Sequence, residues 1–255
     1  MKAEKSILFI FYIFCVQSIF FESCSTPSML VSSSHNVPLL TKKNETRIEA
    51  GTGTQYFGVQ ASHAFTNHFE MMGTYSYGQS YGPVFFMQDI VAGDPGLRNG
   101  GELALGYFSR IDSLNPYEIF VGSERYFRFY GTNYRSANIT KPFVQADIGI
   151  MLSRKLHLIL SCRVGYLMFD HYKEYHIPGI DSSFNNQQLY GQPLNIGLIE
   201  PSAMLKFGRK KLNFFIQYGL SIPTKYLYLD SQILFFNLGL SYKILGRPRG
   251  AAANK

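Results

Sequence analysis

Two histidines and two carboxylates form a cluster that could hold a metal ion. His171 and His176, with Asp170 and Glu174, follow a predicted strand at the start of a long loop. Imidazole and carboxylate groups are ligands of Zn²⁺, and this spacing allows two of them to reach one ion. Exposed loops are rich in the same residue types, so we interpret the cluster as a solvated loop. We predict no metal site, no cofactor and no catalytic residue.

A larger set of charged residues recurs on one face of the predicted strands. Its members are Arg47, Glu49, Glu70, Glu102, Glu118, Glu124, Arg128, Asp147, Arg163, Lys206 and Lys243. Acids and bases that face each other in a narrow interior pair, because an unpaired ionised group is costly there. We therefore predict that these residues form a lumen charge network with a structural role.

The strands that must position these charges are recognised by alternation with a period of two. In 212–222 and 234–244, apolar residues such as Leu234, Phe236 and Leu238 occupy every second position. Alternation over about ten residues is the length of a tilted strand that crosses a bilayer. Further strands are predicted at 45–53, 55–65, 68–77, 100–109, 117–130, 144–152, 156–168 and 192–207. The apolar phase shifts at Glu200-Pro201, which predicts a β-bulge because proline cannot donate to the ladder.

Composition decides which face meets lipid. Only 16% of the residues are charged, which is low for a soluble domain, and the mean hydropathy of −0.04 is low for a helical membrane protein. The apolar faces of ten strands exceed what one narrow interior holds, so we predict that they face outward. The fold is then an all-β, up-and-down antiparallel transmembrane β-barrel of ten strands. Eight strands is the alternative, if 45–65 forms one long strand.

The N-terminus has the features of an export signal. Lys2 and Lys5 precede an unbroken apolar run that is too short to span a bilayer as a helix. With Cys24 after it, the segment resembles a bacterial lipoprotein signal, which predicts cleavage after residue 23 and lipid attachment at Cys24. We divide the chain into signal peptide 1–23, flexible periplasmic tether 24–44, barrel 45–245 and periplasmic tail 246–255. Cys162 is predicted to be an unpaired, buried cysteine.

The lengths of the predicted connections alternate between short and long. The short ones are 66–67, 109–115, 153–155 and 208–211, whereas 78–97, 131–138, 171–191 and 223–230 are longer. Outer-membrane barrels place short turns in the periplasm and long loops outside. Both barrel termini are therefore predicted to be periplasmic. The basic groups that give the net charge of +7 fall in the short turns and the tail, so nucleic acid is not predicted as a partner.

The first part of the barrel resembles a known family. The run PLLTKKNE at 38–45, then RIEAGTG, then GVQASHAFTNHFEMMGTYSYG at 58–78 is similar to the opening of small Gram-negative outer-membrane β-barrel lipoproteins, which are mostly uncharacterised. The resemblance implies the outer membrane of a Gram-negative bacterium as the location. It also implies outer-membrane lipids and the barrel assembly machinery as partners; an external ligand is unknown.

These patterns predict a non-enzymatic outer-membrane barrel lipoprotein with a mostly plugged polar lumen. Its external loops 78–97 and 171–191 are then available for contact or binding. A small channel or transporter for small solutes is one alternative. An outer-membrane enzyme that acts on lipid or peptide is a second.

Overall fold

The computed structural model describes nine stretches of the chain: 35–53, 57–79, 97–112, 114–130, 135–153, 155–174, 195–208, 211–224 and 234–245. The predicted signal peptide, Cys24, His176 and the tail 246–255 lie outside the described residues. Among the described residues there is no helix with the length and apolar character needed to span a bilayer.

The described residues form an all-β structure whose strands run almost from one connection to the next. In chain order they are β1 Glu45–Gly53, β2 Phe57–Ala64, β3 Phe69–Gln79, β4 Leu97–Arg110, β5 Pro116–Tyr130, β6 Arg135–Ser153, β7 Leu156–Glu174, β8 Asn195–Gly208, β9 Leu212–Leu220, β10 Ile222–Pro223 and β11 Leu234–Leu245. Strands β9 and β10 are two parts of one crossing that Ser221 separates, and both pair with β8.

The sheet closes on itself, so it has no free edge. Each crossing pairs antiparallel with its neighbour in sequence, and β1 pairs with β11 from Glu45↔Leu245 to Gly53↔Asn237. Strands β1 and β2 pair with each other, so 45–65 contains two strands. The prediction of a closed antiparallel barrel with ten spanning strands is confirmed, and the alternative of eight is wrong.

The barrel is apolar outside and polar inside. Leu103, Leu105 and Val121 are 69%, 65% and 61% exposed, whereas Glu102 and Glu124 on the same strands are 4% and 3% exposed. Alternation makes successive side chains point to opposite faces of a strand. The same arrangement holds on the other strands, where Ile48, Leu160, Val164, Ile199 and Leu240 are exposed and ionised residues are buried.

Strand β6 begins well before the predicted residue 144. It pairs with β5 from Tyr117↔Ile148 through to Tyr130↔Arg135. Alternation did not indicate this part of β6, because its outward positions include Asn138, Thr140 and Pro142 in place of apolar residues. Backbone pairing continues there regardless, since the ladder does not depend on the character of the outer face.

The predicted bulge at Glu200-Pro201 is wrong. Strand β8 pairs with β7 without a shift from Leu156↔Phe207 to Met168↔Asn195. The apparent change of phase arises because the apolar residues Ile196 and Leu198 face the lumen, where both are buried. The barrel's register shifts lie instead between β6 and β7, at Ser136/Asn138 and at Met151/Ser153.

Residues 35–41, which we call the N-terminal segment, lie inside the barrel. Val37 and Leu40 are fully buried, and His35 is 1% exposed. Val37 and Leu39 pack with Ile159, Met204 and Phe215, whereas Leu40 packs with Ala64 and Phe108. The predicted flexible tether spans 24–44, and its described part from residue 35 differs from that prediction because its side chains find apolar partners in the lumen.

Gly122 on β5 is one position at which the inner wall has no room for a side chain. A Cβ there would lie 2.5 Å from the Ala104 Cβ and 2.7 Å from the Phe143 ring. We expect Gly122→Val to lower the free energy of unfolding by about 1–3 kcal/mol, because overpacking a close-packed interior forces strain. Denaturant titration of the refolded barrel measures this. Ser123→Val, at the neighbouring exposed position, is the matched control and should leave the value nearly unchanged.

Candidate functional site: the polar lumen

The charges of the lumen are arranged around Arg163 on β7. Its Nη1 and Nη2 donate to the two carboxylate oxygens of Glu102 at 3.0 and 3.1 Å, so the contact is bidentate. Its Nε and Nη2 also donate to Gln145 Oε1 at 2.8 and 2.6 Å. The guanidinium carbon lies 4.0 Å from the centroid of the Phe143 ring, which adds a cation–π contact. The fully buried guanidinium of Arg163 thus has three partners: the carboxylate of Glu102, the amide oxygen of Gln145 and the ring of Phe143.

A second cluster is centred on Lys141 of β6. Its Nζ lies 2.9 Å from Glu124 Oε2 on β5 and 3.1 Å from Glu200 Oε2 on β8. The hydroxyl of Ser221 donates to the other oxygen of Glu200 at 3.0 Å. Lys141 and Glu200 were not among the predicted lumen residues. Extending the alternation of Gln145 and Asp147 backward along β6 would have identified Lys141.

A third cluster joins β8 to the strands that close the barrel. Lys206 Nζ lies 2.7 Å from Glu49 Oε1 on β1, and the Ser241 hydroxyl of β11 donates to the same oxygen at 2.8 Å. At the start of β1, Glu45 pairs with Lys243 at 2.6 Å and with Arg47 at 3.6 Å. Glu45, fully buried, is a further lumen residue that was absent from the predicted set, although it shares the face of Arg47 and Glu49 in the predicted strand 45–53.

The remaining predicted lumen residues also face inward where their side chains are described. Gln145 donates to both oxygens of Asp147 at 3.0 and 2.9 Å, and Glu118 accepts from the Leu40 N–H at 2.6 Å. Glu70 is fully buried, and neither of its oxygens has a hydrogen-bond partner. The side chains of Arg128 and of the metal candidate His171 lie outside the described residues.

The N-terminal segment is held by the lumen side chains mainly through its backbone. Its carbonyls at His35, Asn36 and Val37 accept hydrogen bonds from Gln217 at 3.1 Å, Gln145 at 2.8 Å and Lys206 at 2.6 Å. Backbone polar groups buried away from water need such partners. The segment and the charge network therefore form one hydrogen-bonded interior.

Side chains of the N-terminal segment add further bonds to the wall. Asn36 donates to Thr74 Oγ1 at 2.5 Å and to Glu102 Oε1 at 3.3 Å. His35 Nδ1 lies 2.8 Å from the hydroxyl of Ser161 and 3.0 Å from that of Ser202. The His35 ring also lies 5.6 Å from the Phe235 ring. The two consecutive residues His35 and Asn36 are thus bonded to strands β3, β4, β7 and β8.

Two further features of the described part of the chain concern metal binding and Cys162. No group of three or more His, Cys, Asp or Glu side chains there could hold a metal. Cys162 was predicted to be buried, but it is exposed on the outer face of β7 with no disulfide partner, because it occupies the same face as Leu160 and Val164.

The comparisons with known proteins reach the fold alone. No family model and no curated protein matches the chain. Among solved structures, it is similar to the KdgM porin (12% identity, 78% of this chain, 98% of that chain, TM-score 0.35). It is also similar to the translocator domain of the autotransporter NalP from Neisseria meningitidis (13% identity, 78% and 86%, TM-score 0.42) and to the NanC porin (10% identity, 78% and 99%, TM-score 0.32).

Removing the Arg163 guanidinium tests the network. We expect Arg163→Met to lower the free energy of unfolding by about 3–5 kcal/mol, because Glu102 would then be buried without its partner. Denaturant titration in detergent micelles measures the change. The double variant with Glu102→Gln should recover much of the loss, since no carboxylate is then left unpaired. Equal stability of the single and double variants would contradict the assigned pairing.

Proposed function

We propose that this protein is a closed, non-enzymatic β-barrel in the outer membrane of a Gram-negative bacterium. A lipid on Cys24 gives it a second anchor, and the loops 78–97 and 171–191 provide external surfaces for contact or binding. The observation that carries the proposal is the inversion of polarity, with large apolar side chains exposed around the wall and ionised side chains buried at its centre.

The outer wall supports insertion in a bilayer. Exposed apolar residues occur on strands around the barrel, and Leu103, Val121, Val164 and Leu240 are each more than half exposed. Soluble monomers rarely expose a continuous apolar patch beyond a few hundred Å². A closed barrel also satisfies all its backbone hydrogen bonds internally, as hydrocarbon requires. The exposed apolar wall and the internally paired backbone are both suited to a lipid environment.

The interior supports a barrel that does not conduct. Arg163, Lys141 and Lys206 reach carboxylates on other strands across the lumen, and the N-terminal segment occupies the space between them. An open aqueous pore would leave such groups hydrated, whereas here they are at most 4% exposed. The role that fits is a rigid membrane anchor for the loops. In this proposal the short turns and both barrel termini lie in the periplasm.

A small channel is the second candidate, and one observation favours it. A cavity beside His35 is lined by Gln60, Thr74 and Asn237, and buried polar atoms of His35, Gln60 and Asn237 lack hydrogen-bond partners. Unsatisfied polar groups of this kind accommodate water. A hydrated passage through the lumen would have to use this space.

The lipid-facing wall makes a testable prediction at Val121. We expect Val121→Lys to lower the free energy of unfolding from lipid vesicles by about 2–4 kcal/mol, because a lysine near the midplane faces hydrocarbon. Ile111→Lys, in the exposed turn between β4 and β5, is the control and should cost about 0–1 kcal/mol. Membrane fractionation and the shift in gel mobility on boiling establish for each variant that a folded membrane barrel forms. A soluble, non-heat-modifiable protein would refute the proposal.

Planar-bilayer recording separates the closed barrel from the channel. We expect the wild-type protein to give no steady current, because the N-terminal segment and the ion pairs fill the lumen. Joint replacement of Val37, Leu39 and Leu40 by serine should produce current, since it removes the apolar contacts that hold the segment. Steady conductance of the wild-type barrel would favour the channel.

A further inference from the structure

The N-terminal segment has a definite direction inside the barrel. Strands β2, β4, β6 and β8 end, and β3, β5, β7 and β9 begin, at one end of the barrel, which we call the short-turn end; the opposite end is the long-loop end. Leu40 contacts Glu118, two residues from the start of β5 at the short-turn end. Val37 contacts Lys206 on β8, and His35 contacts Ser202 on the same strand. Read from residue 41 back to 35, the chain moves toward the long-loop end.

A return to the short-turn end would need a second chain beside the first. The N-terminal segment is bonded to Thr74 of β3, Glu102 of β4, Glu118 of β5, Gln145 of β6, Lys206 of β8 and Gln217 of β9. Its apolar side chains pack against Phe108, Ile159, Met204 and Phe215. Interiors packed in this way have few voids larger than a water molecule. The part of the lumen between the short-turn end and His35 is therefore occupied by the N-terminal segment itself.

The space beyond His35 has the opposite character. The cavity next to His35 is bordered by Gly51 and Gly58, which carry no side chain, and by Gln60 and Asn237. Asn237 pairs with Gly53, the last residue of β1 at the long-loop end. The cavity is also bordered by Met204 and Phe215, so it runs beside the end of the N-terminal segment and reaches from there toward the long-loop end.

Polar atoms around this space lack partners. They are His35 Nε2, Gln60 Nε2 and Asn237 Oδ1, on residues that are all at least nine-tenths buried. A passing polypeptide supplies both donors and acceptors from its backbone. Residues 32–34, which directly precede His35, are three serines whose hydroxyl groups donate and accept as well.

We propose that residues 25–34 pass through the part of the lumen between His35 and the long-loop end. The chain then joins the barrel wall at β1 from the short-turn end, whereas its leader emerges at the long-loop end. A chain extends by at most about 3.3–3.6 Å per residue, so the eleven steps from His35 to Cys24 reach about 36 Å. From Ser202 to Asn195 along β8 is seven residues, or about 23 Å. The leader is therefore long enough to pass the end of β8.

A threaded leader would determine on which side of the membrane the lipid on Cys24 lies, and this inference rests on the proposed function. With the long-loop end outside the cell, Cys24 and a lipid attached to it lie at the outer leaflet. The protein then displays its N-terminal leader on the cell surface, beside the loops 78–97 and 171–191, whereas the first residue of β1 stays at the periplasmic end. Its surface partner would meet a short Ser/Thr/Pro-containing leader as well as those loops.

Thiol labelling of intact cells tests this in the full chain. In a Cys162→Ser background, three variants are compared with a membrane-impermeant maleimide: Thr26→Cys in the leader, Gly82→Cys between β3 and β4, and Leu114→Cys in the turn between β4 and β5. We expect Thr26→Cys to label in intact cells as Gly82→Cys does, and Leu114→Cys to label only after lysis. The Cys162→Ser parent measures any reaction of Cys24 itself.

The outcomes separate the two proposals. Loss of heat-modifiability, or a reversed pattern at positions 82 and 114, would overturn the proposed function or its orientation. With that pattern as expected, a Thr26→Cys that labels only after lysis, or in neither condition, would overturn the threaded leader.

A disulfide inside the purified barrel gives a second measurement that does not depend on cell orientation. Ser76 and Met72 are inward positions of β3 on either side of Thr74, which binds Asn36. We expect oxidation to join Ser34→Cys to Ser76→Cys, toward the long-loop end, in preference to Met72→Cys. Preferential joining to Met72→Cys in a heat-modifiable barrel would show that the leader turns back. Ser76→Cys without its partner is the control.

Discussion

Matching ionised groups in an interior without bulk water is the constraint on which this barrel depends. Arg163 of β7 pairs with Glu102 of β4, Lys141 of β6 with Glu200 of β8, and Lys206 of β8 with Glu49 of β1. These partners are distant in sequence and meet across the lumen only when the sheet is closed. Closure in turn requires them, since an uncompensated charge in such a site costs several kcal/mol. The lumen is thus the core of the protein, although its composition is polar.

The N-terminal segment completes this core by supplying backbone acceptors to the donor groups of Lys206, Gln145 and Gln217. Lys206 is shared between Glu49 and the carbonyl of Val37, and Gln145 between Asp147 and the carbonyl of Asn36. A backbone in an extended path presents such carbonyls without adding charge. The apolar side chains of Val37 and Leu39 fill the space near Met204 and Phe215. The N-terminal segment therefore accepts hydrogen bonds from the polar side chains of the lumen and also packs against its apolar ones.

The barrel could be predicted from the sequence because the outward positions of most strands are apolar, and this produces an alternation with a period of two. In 234–244 and 156–168, alternation assigned Leu240, Leu160 and Val164 to the exposed wall, as the structure has it. The signal failed where that face is not apolar, as at Asn138 and Thr140, and where the inner face is apolar, as at Ile196 and Leu198. It failed also at His35–Leu40, because a segment without periodicity shows its partners only in three dimensions. Lys141 was missed because the outer face of β6 next to it is not apolar, so the predicted strand began only at residue 144.

The position of the N-terminal segment next to β1 links its enclosure to the closing of the sheet. Glu45 begins β1, accepts from the Thr41 hydroxyl at 2.9 Å and pairs with Lys243 of β11 at 2.6 Å. Strands β1 and β11 form the seam that joins the two ends of the chain. A finished barrel has no edge through which the segment could enter sideways. One residue at the seam, Glu45, thus contacts the enclosed chain and both closing strands.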